Sequence, residues 1–388
     1  MTRDRQAQDW QGLVHRLGAS GRARILFRGV LLLIFLWGLN TQPVRLVVYG
    51  PQQTVETRNP KIGVHTRLTD EVDEWKVKRT LEMVRRMGSP WIVEYFPWGY
   101  YEPAKGKYGW DHPDMVVNHA IAQGLTVIAR IDFVPAWARP EETTFRHLER
   151  EHFCDYGDFV HAFAEHFRGR VSHIIIWNEP NLSFEWGFRP PDPDAYTELL
   201  CTAYARVKEA NPDAEVLAAG LAPTMAPPGS EWGMDDLVFL QSMYDAGASP
   251  CFDGMAIHAY GFTFAPDEPA DAREVNFARA ELIRELMVSN GDAHKPCYIT
   301  EGGWNDHPRW TKAVRPYQRL EYTVGGYEKA LHEWDWCRAV CLWAFRYPWP
   351  AKTYQDSFTF VSPEFIPKPV YLETMHYAHG EPFEYLGK

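Results

Sequence analysis

The sequence lacks the excess of positive charge that nucleic-acid-binding proteins carry. Its 40 lysine and arginine residues are outnumbered by 51 aspartate and glutamate residues, which gives a formal net charge of −11. A protein that binds the phosphate backbone needs a basic patch or stripe. The composition therefore argues against a nucleic-acid partner and favours a neutral or uncharged substrate.

Closely spaced cysteine pairs are also absent. The six cysteines form no Cys-x-x-Cys pair and do not alternate with histidine at the spacing of zinc ligands. This pattern excludes the common zinc-binding and dithiol motifs. We predict buried free thiols at the six positions, which are Cys154, Cys201, Cys251, Cys297, Cys337 and Cys341.

The apolar run near the N-terminus is too short for an ordinary membrane span. Gly29–Leu39 has 11 uncharged residues, whereas a spanning helix needs about 20. Arg22, Arg24 and Arg28 precede it, and basic residues before a short apolar core are typical of a secretory signal or a signal anchor. Because no small-x-small cleavage site follows cleanly, an uncleaved anchor is favoured, and the protein is predicted to be extracytoplasmic, membrane-anchored or secreted. The alternative is a buried or amphipathic helix of a soluble protein.

Length and composition are compatible with one large domain. The chain has 388 residues, of which 45% are hydrophobic and 14% aromatic, and α/β barrels of 250 residues or more fold as single units. We divide the chain into a basic, polar tail (1–24), a signal-anchor-like apolar segment (25–39), a linker (40–60) and one large domain (61–388), which is predicted to carry the active site. The linker is rich in Pro, Gln, Thr and Asn. The oligomeric state is not predicted.

Short apolar strands alternate with longer helical patterns throughout the large domain, which is typical of repeated βα units. Eight such units predict an α/β fold, a closed (β/α)8 TIM barrel. One helix is predicted over Asp73–Met87, with an apolar stripe that includes Trp75, and another over Asp194–Ala210. The strand candidates are Ile62–Thr66, Trp91–Phe96, Thr126–Phe133, Val171–Trp177, Glu215–Ala219, Gly254–His258, Cys297–Thr300 and Ala339–Phe345.

Two glutamates follow two of these strands directly. Glu179 comes after the fourth candidate and Glu301 after the seventh, 122 residues later. Active sites of such barrels lie at the C-terminal ends of the strands. A pair of carboxyl groups there is the arrangement that glycoside hydrolysis needs, since one protonates the leaving oxygen while the other attacks or activates water. The alternative is that each glutamate caps a loop or pairs with an arginine.

The motifs around these glutamates resemble those of the clan A glycoside hydrolases, over residues 60–375. The stretch Trp177-Asn178-Glu179-Pro180-Asn181-Leu182 is most similar to glycoside hydrolase family 39, as is Asp132-Phe133-Val134-Pro135 after the third strand. The stretch Thr300-Glu301-Gly302-Gly303-Trp304 is closer to family 5 and its relatives. Both families belong to the clan.

The resemblance implies roles for individual residues. Glu179 would be the general acid/base and Glu301 the nucleophile of a retaining reaction. Asn178 would hydrogen-bond the sugar 2-hydroxyl; alternatively, it caps a turn. His258 and Tyr260 form the His-x-Tyr element beside the nucleophile, where a donor would keep Glu301 ionised; alternatively, His258 is a core histidine.

The remaining candidates are a sugar-stacking tryptophan and weaker positions at the barrel mouth. Trp343, near the end of the last strand, resembles the stacking tryptophan of the innermost subsite; core packing is its alternative. Weaker candidates, each equally explained by a rim salt bridge or packing contact, are His65, Arg67, Glu94, Trp98 and Asp132. No metal and no cofactor are predicted. The segments Pro140–Glu151, Thr224–Met234 and Phe262–Asp271 are predicted to wall the cleft.

The leading hypothesis is a retaining glycoside hydrolase that cleaves β-linked O-glycosidic bonds of an oligo- or polysaccharide. A carbohydrate is therefore the predicted partner, and membrane attachment would come through the N-terminal segment. A second hypothesis is a non-catalytic carbohydrate-binding or complex-associated barrel, which the intact glutamate pair argues against. A third is a transglycosylase, which uses the same covalent intermediate with a sugar as acceptor.

Overall fold

The computed structural model describes residues 21–40, 49–347 and 353–381. The chain divides into two compact units, residues 1–48 and 49–388. In the first unit, helix α1 runs over Gly21–Asn40 and so contains the predicted apolar segment. Most of the predicted tail (1–20) and part of the predicted linker (41–48) lie outside the described residues.

Among the helices of the described ranges, none combines the length and the apolar character that crossing a bilayer requires. The structure does not support the predicted signal anchor at residues 25–39. The localisation of the protein stays a prediction.

The second unit is a closed barrel of eight parallel strands, β1 to β8, hydrogen-bonded in chain order. This confirms the predicted (β/α)8 fold, and each strand boundary lies within three residues of its prediction. The strands are Ile62–His65, Trp91–Pro97, Thr126–Asp132, His173–Ile176, Glu215–Ala218, Gly254–Tyr260, Cys297–Gly303 and Cys337–Trp343.

Helices surround the barrel and cover its outer face. The two predicted helices are confirmed as Glu74–Arg86 and Pro193–Ala210. Trp75 is 59% exposed while Val77 and Leu81 are fully buried, because a position two residues before Val77 falls on another face of a 3.6-residue helix. In chain order, α2 to α10 are Glu74–Arg86, Trp98–Tyr101, Asp111–Ala122, Phe153–His166, Pro193–Ala210, Asp236–Asp245, Arg279–Ser289, Pro316–His332 and Pro369–His379.

The barrel interior is filled by one buried side chain from most strands, among them Ile128, Ala256 and Cys341. Successive residues of a strand point to opposite faces, so the residue two positions further along points inward again. On β3 that residue is Arg130, which lies one layer closer to the C-terminal mouth. The same step leads from Ala256 to His258 and from Cys341 to Trp343, so the strand period itself places polar and aromatic groups at the mouth.

The segment before β1 is tied to the barrel helices. The amide N–H of Gln53 donates to the Ala122 carbonyl, and that of Arg58 donates to the Ala378 carbonyl, both at 2.8 Å. Asn59 is fully buried and its amide donates to the Tyr327 carbonyl at 3.1 Å. These bonds fix residues 53–59, which belong to the predicted linker, to the helices around the barrel.

The prediction of six buried free thiols is wrong at three positions. Cys201 on α6 and Cys251 form a disulfide across 50 residues of sequence, and Cys154 is exposed. Cys297, Cys337 and Cys341 are free and buried as predicted. Sequence spacing could not show the pairing, because it depends on the turn Ser249–Cys251 packing beside α6.

Candidate active site

A pocket of about 470 Å³ opens at the C-terminal ends of the strands. Both predicted catalytic glutamates line it. The other lining residues come from the segments after most of the strands and are Arg67, Arg130, Arg146, Asn178, Leu182, Glu185, Ala222, Pro223, Tyr260, Phe262, Trp310, Trp343, Tyr347, Tyr354, Gln355 and Phe358.

Glu301 lies on β7 within a shell of hydrogen-bond donors. Arg130 Nη1 donates to its Oε1 at 2.6 Å, and the Tyr260 hydroxyl donates to its Oε2 at 2.9 Å. Burial alone would raise the pKa of this carboxyl, but the charges of His258 and Arg130 and the Tyr260 hydrogen bond together hold the pKa below its usual value. Glu301 is therefore ionised at neutral pH, as a nucleophile must be.

Glu179 follows β4 and faces a histidine. Its Oε1 lies 2.8 Å from His258 Nδ1, and its backbone N–H donates to the Gly220 carbonyl at 3.0 Å. Gly220 is required there, because a Cβ at this position would lie 2.3 Å from the His258 ring. Gly220, two residues after β5, thus leaves room for the ring that orients Glu179.

His258 lies between the two glutamates. Its Nδ1 is 4.0 Å from Glu301 Oε2, further than from Glu179. Burial would lower the pKa of this fully enclosed ring, yet the nearby carboxylates of Glu301 and Glu179 raise it above its usual value. Of the predicted His-x-Tyr element, Tyr260 therefore supplies the donor to Glu301, and His258 mainly contacts Glu179.

The two carboxyl groups face each other across the pocket. One oxygen of Glu179, one of Glu301 and a ring nitrogen of His258 all lie within 4.8 Å of one another. Three such ligand atoms could hold a cation, but the Arg130 guanidinium already occupies the adjacent position on Glu301. The arrangement suits a carboxyl pair that acts on a bond placed between its members.

Arg130 was not among the predicted site residues, although it joins two of them. Its Nη1 donates to Asn178 Oδ1 at 3.0 Å as well as to Glu301. The side chain is 10% exposed. A basic residue two positions after the inward-facing Ile128, at the C-terminal end of a strand, is the signal that could have identified it.

A chain of ion pairs continues from Arg130 along one wall. The buried Asp132 lies 3.4 Å from Arg130 Nε and 2.8 Å from Arg146 Nη1, and Arg146 Nε lies 2.9 Å from Glu185 Oε2. Burial raises the pKa of Glu185 to about 7, although the Arg146 charge opposes the shift. The wall presents a third carboxyl group and two guanidinium groups to a ligand. Sequence reasoning missed Arg146, on the loop after β3, and Glu185, in the short 3-10 helix Ser183–Trp186 after β4.

The opposite wall is aromatic. The Trp343 ring lies 5.5 Å from the rings of both Tyr347 and Phe358, and the Trp310 ring lies 6.0 Å from Phe262 and 5.9 Å from Phe358. The Trp343–Ala344 peptide bond is cis. A pocket with one aromatic and one polar wall fits a ligand that has an apolar face and a ring of hydroxyl groups, since aromatic rings pack on the former and polar groups bind the latter.

Comparison with solved structures identifies proteins of the same fold. A family 39 glycoside hydrolase from Bacteroides cellulosilyticus superposes with a TM-score of 0.65 at 22% sequence identity, over 85% of this chain and 65% of that one. A monomeric β-xylosidase from Caulobacter crescentus gives a TM-score of 0.62 at 19% identity, over 83% of this chain and 69% of that one. The chain shares the fold of clan A glycoside hydrolases. The resemblance seen in the motifs is thus confirmed at the level of the fold.

A family 5 subfamily 18 enzyme from Bifidobacterium longum, in complex with Manβ1-4GlcNAc, also has this glycoside hydrolase fold. It gives a TM-score of 0.63 at 14% identity, over 81% of this chain and 77% of that one. The chain spans about two thirds of the length of the Bacteroides cellulosilyticus protein. No family model matches the sequence, and no curated protein matches it.

The weaker predicted site residues fall into two groups, those that line or adjoin the pocket and those that do not. Arg67 lines the pocket and lies over the Tyr347 ring. His65 is buried, with Nε2 3.7 Å from Glu301 Oε1, and burial followed by the Arg130 charge lowers its pKa to about 3. Asp132 belongs to the ion-pair wall. These three are part of the site or adjoin it.

Glu94 and Trp98 do not reach the pocket. Glu94 is fully buried and accepts hydrogen bonds from the Thr66 hydroxyl and from the backbone N–H groups of Leu68 and Thr69. Trp98 is also fully buried, and its Nε1 donates to Glu102. Both side chains stabilise the barrel rim, which is the structural alternative considered for them.

Backbone strain is concentrated around the site. Within the described residues, six non-glycine residues have a positive φ angle, and five of them follow β3, β4 or β6. Such conformations cost about 1–3 kcal/mol each and persist only where the surroundings impose them. One of the five is Glu179 itself, with φ of 43°. The five residues are Phe133, Trp177, Glu179, Phe188 and Phe262.

Proposed function

We propose that the protein is a retaining glycoside hydrolase that cleaves β-linked O-glycosidic bonds of an oligo- or polysaccharide. The observation that carries the proposal is the facing pair, with an oxygen of Glu179 within 4.8 Å of an oxygen of Glu301. Retaining enzymes place their carboxyl groups about 5–5.5 Å apart, and inverting enzymes about 6.5–9.5 Å. The spacing favours direct attack by Glu301 over activation of an intervening water.

In the first step, an oxygen of ionised Glu301 attacks the anomeric carbon. The bond from that carbon to the leaving oxygen breaks, and protonated Glu179 transfers its proton to the leaving oxygen. The products are a covalent glycosyl–Glu301 ester, a free alcohol and ionised Glu179. Arg130 and Tyr260 donate to Glu301 and so keep it ionised and oriented for this attack.

In the second step, a water molecule attacks the anomeric carbon from the side that the leaving group has vacated. Glu179 accepts the proton of this water, the ester bond to Glu301 breaks, and both glutamates return to their starting states. Two inversions give net retention. Asn178, held by Arg130 at 3.0 Å, is placed to hydrogen-bond the sugar 2-hydroxyl next to the reacting carbon.

The neighbours with the same fold support a carbohydrate substrate and a β linkage. They include a β-xylosidase, a β-galactosidase and the family 5 enzyme that was solved with Manβ1-4GlcNAc. The test is a panel of para-nitrophenyl β-glycosides of xylose, mannose, galactose and glucose. Release of para-nitrophenol by the protein supports the proposal. Binding of sugars without any turnover would instead favour the non-catalytic barrel.

We expect Arg130→Met to shift the pH profile of the reaction. Removal of a cation next to Glu301 destabilises the ionised form of that carboxyl and so raises its pKa. Since the attack needs ionised Glu301, the acid limb of the kcat/KM profile should move to higher pH, by about one to three pH units. Arg130→Lys is the matched control, because it keeps the charge. An unchanged acid limb in Arg130→Met, with the thermal midpoint preserved, would contradict the role.

The disulfide supports an extracytoplasmic location, which we also propose. Disulfides form and persist in oxidising compartments, and Cys201–Cys251 closes a loop of about 50 residues. In the native protein, Cys154 should be the one thiol that reacts rapidly with a thiol reagent, and four thiols should react after unfolding without reductant. Six reactive thiols in unreduced protein purified from its source would contradict the location.

A further inference from the structure

Three large aromatic side chains lie exposed on the segment that follows Glu179 and on the loop hydrogen-bonded to that segment. Their exposed fractions are 48% for Phe184, 71% for Phe188 and 55% for Trp232. We call these three residues the aromatic rim. Exposed apolar patches on soluble proteins mark binding surfaces more often than chance would give.

Backbone hydrogen bonds of Ser183 join the segments that carry Trp232 and Phe188. Its backbone N–H donates to the Trp232 carbonyl at 2.9 Å, and its carbonyl accepts from the Phe188 N–H at 2.7 Å. Phe188 has φ of 57°, a conformation that costs a bulky residue free energy. The fold thus maintains an unfavourable backbone at the most exposed ring.

Asn181 fixes the loop that carries Trp232 to the segment that carries Glu179. It is fully buried, and its Nδ2 donates to the carbonyls of Ala222 at 2.9 Å and Met234 at 3.0 Å. Its Oδ1 accepts from the Ala222 N–H at 2.9 Å. Because Asn181 is only two residues from Glu179, this clamp sets the position of Trp232 relative to the general acid.

Two rim residues, Phe184 and Phe188, follow Glu179 by five and nine residues. Glu179 must contact the oxygen that departs, so the leaving group extends from the cleavage point along the general acid. The segment after Glu179 and the loop clamped to it therefore border the path of that group. Leu182 lines the pocket and forms an antiparallel bridge with Gly233, so the residue next to Trp232 is bonded to the pocket wall.

We propose that the aromatic rim binds the leaving-group sugars of an extended saccharide chain by stacking against their apolar faces. The inference rests on the proposed function and adds that the substrate is a chain with several sugars beyond the cleaved bond. A small aryl leaving group would end before the rim. Loss of a rim side chain should therefore lower kcat/KM for long substrates and not for short ones.

The test compares Trp232→Ala with Trp75→Ala, a control in which a tryptophan of similar exposure, 59%, lies on α2. Each variant is assayed on the best para-nitrophenyl glycoside of the panel and on xylohexaose, mannohexaose and cellohexaose. We expect Trp232→Ala to lower kcat/KM on a hexasaccharide about tenfold, mainly through KM, and to leave the aryl glycoside within about twofold. Trp75→Ala should change neither. Equal losses on both substrate types, or none on the hexasaccharides, would overturn the proposal.

A binding measurement separates this inference from the proposed function. Isothermal titration calorimetry of the three hexasaccharides uses Glu301→Gln as background, with and without Trp232→Ala. Failure of the wild type to hydrolyse any substrate would refute the proposed function alone, while weaker hexasaccharide binding by the double variant would still support the rim. Unchanged or absent binding overturns the rim proposal. So does a Trp232→Ala variant that alters only the oligomeric state in sedimentation, since the rim would then be a protein contact.

Discussion

Replacing Glu301 with alanine should abolish hydrolysis of the responsive para-nitrophenyl glycoside, with kcat reduced by at least about a thousandfold. The loss follows because no other described side chain on that face of the pocket offers an ionised oxygen to the anomeric carbon, and without attack no glycosyl-enzyme forms. General acid assistance alone is worth about 10²–10⁴ and acts on the leaving oxygen only.

Azide distinguishes loss of the nucleophile from damage to the pocket. In Glu301→Ala, the anion can enter the space that the carboxylate vacated and attack the anomeric carbon directly. We expect restored release of para-nitrophenol and an α-glycosyl azide, because a single displacement on a β-glycoside inverts the configuration. A β-glycosyl azide, or full activity without azide, would assign the attacking role to another residue.

Replacing Glu179 with alanine should give a loss that depends on the leaving group. An unactivated leaving group such as a sugar needs the proton, so kcat/KM should fall about 10²–10⁴-fold. A dinitrophenyl leaving group departs as a stable anion, so its kcat/KM should fall far less. Its kcat should still drop, since Glu179 also activates the water of the second step.

Glu185→Gln is the matched control for the general acid. Glu185 also lines the pocket and is also a carboxyl group, but it pairs with Arg146 at 2.9 Å. Its replacement should change kcat/KM by the same factor for substrates with a sugar and with a dinitrophenyl leaving group. A leaving-group dependence in Glu185→Gln and not in Glu179→Ala would exchange the roles of the two residues.

The barrel and the two glutamates could be predicted because local sequence periodicity determines them. Eight apolar runs of strand length predict the barrel, which the structure confirms, and strand ends in a parallel barrel meet at one edge. The same periodicity also predicts the position of Arg130, because it lies two residues after the inward-facing Ile128 on the same strand and so points inward as well. Unlike Arg67, which follows its strand, Arg130 lies inside β3, two residues before the strand ends.

Other parts of the site depend on loop conformation and could not be derived. Phe358 reaches Trp343 from a segment 15 residues further along the chain, and Arg146 reaches Asp132 from the loop after β3. The Asn181 side chain has no apparent partner in the sequence, because its hydrogen bonds go to backbone groups about 40 to 50 residues away. The pairing of Cys201 with Cys251 is likewise a product of tertiary packing.

The measurement that tests the central claim most directly is the anomeric configuration of the first sugar released from a β-glycoside. Proton nuclear magnetic resonance spectroscopy, recorded before mutarotation sets in, distinguishes the two anomers. The β anomer is the result expected if Glu301 forms a glycosyl-enzyme and Glu179 serves as acid and then base. Initial release of the α anomer would show a single displacement by water and would contradict the account.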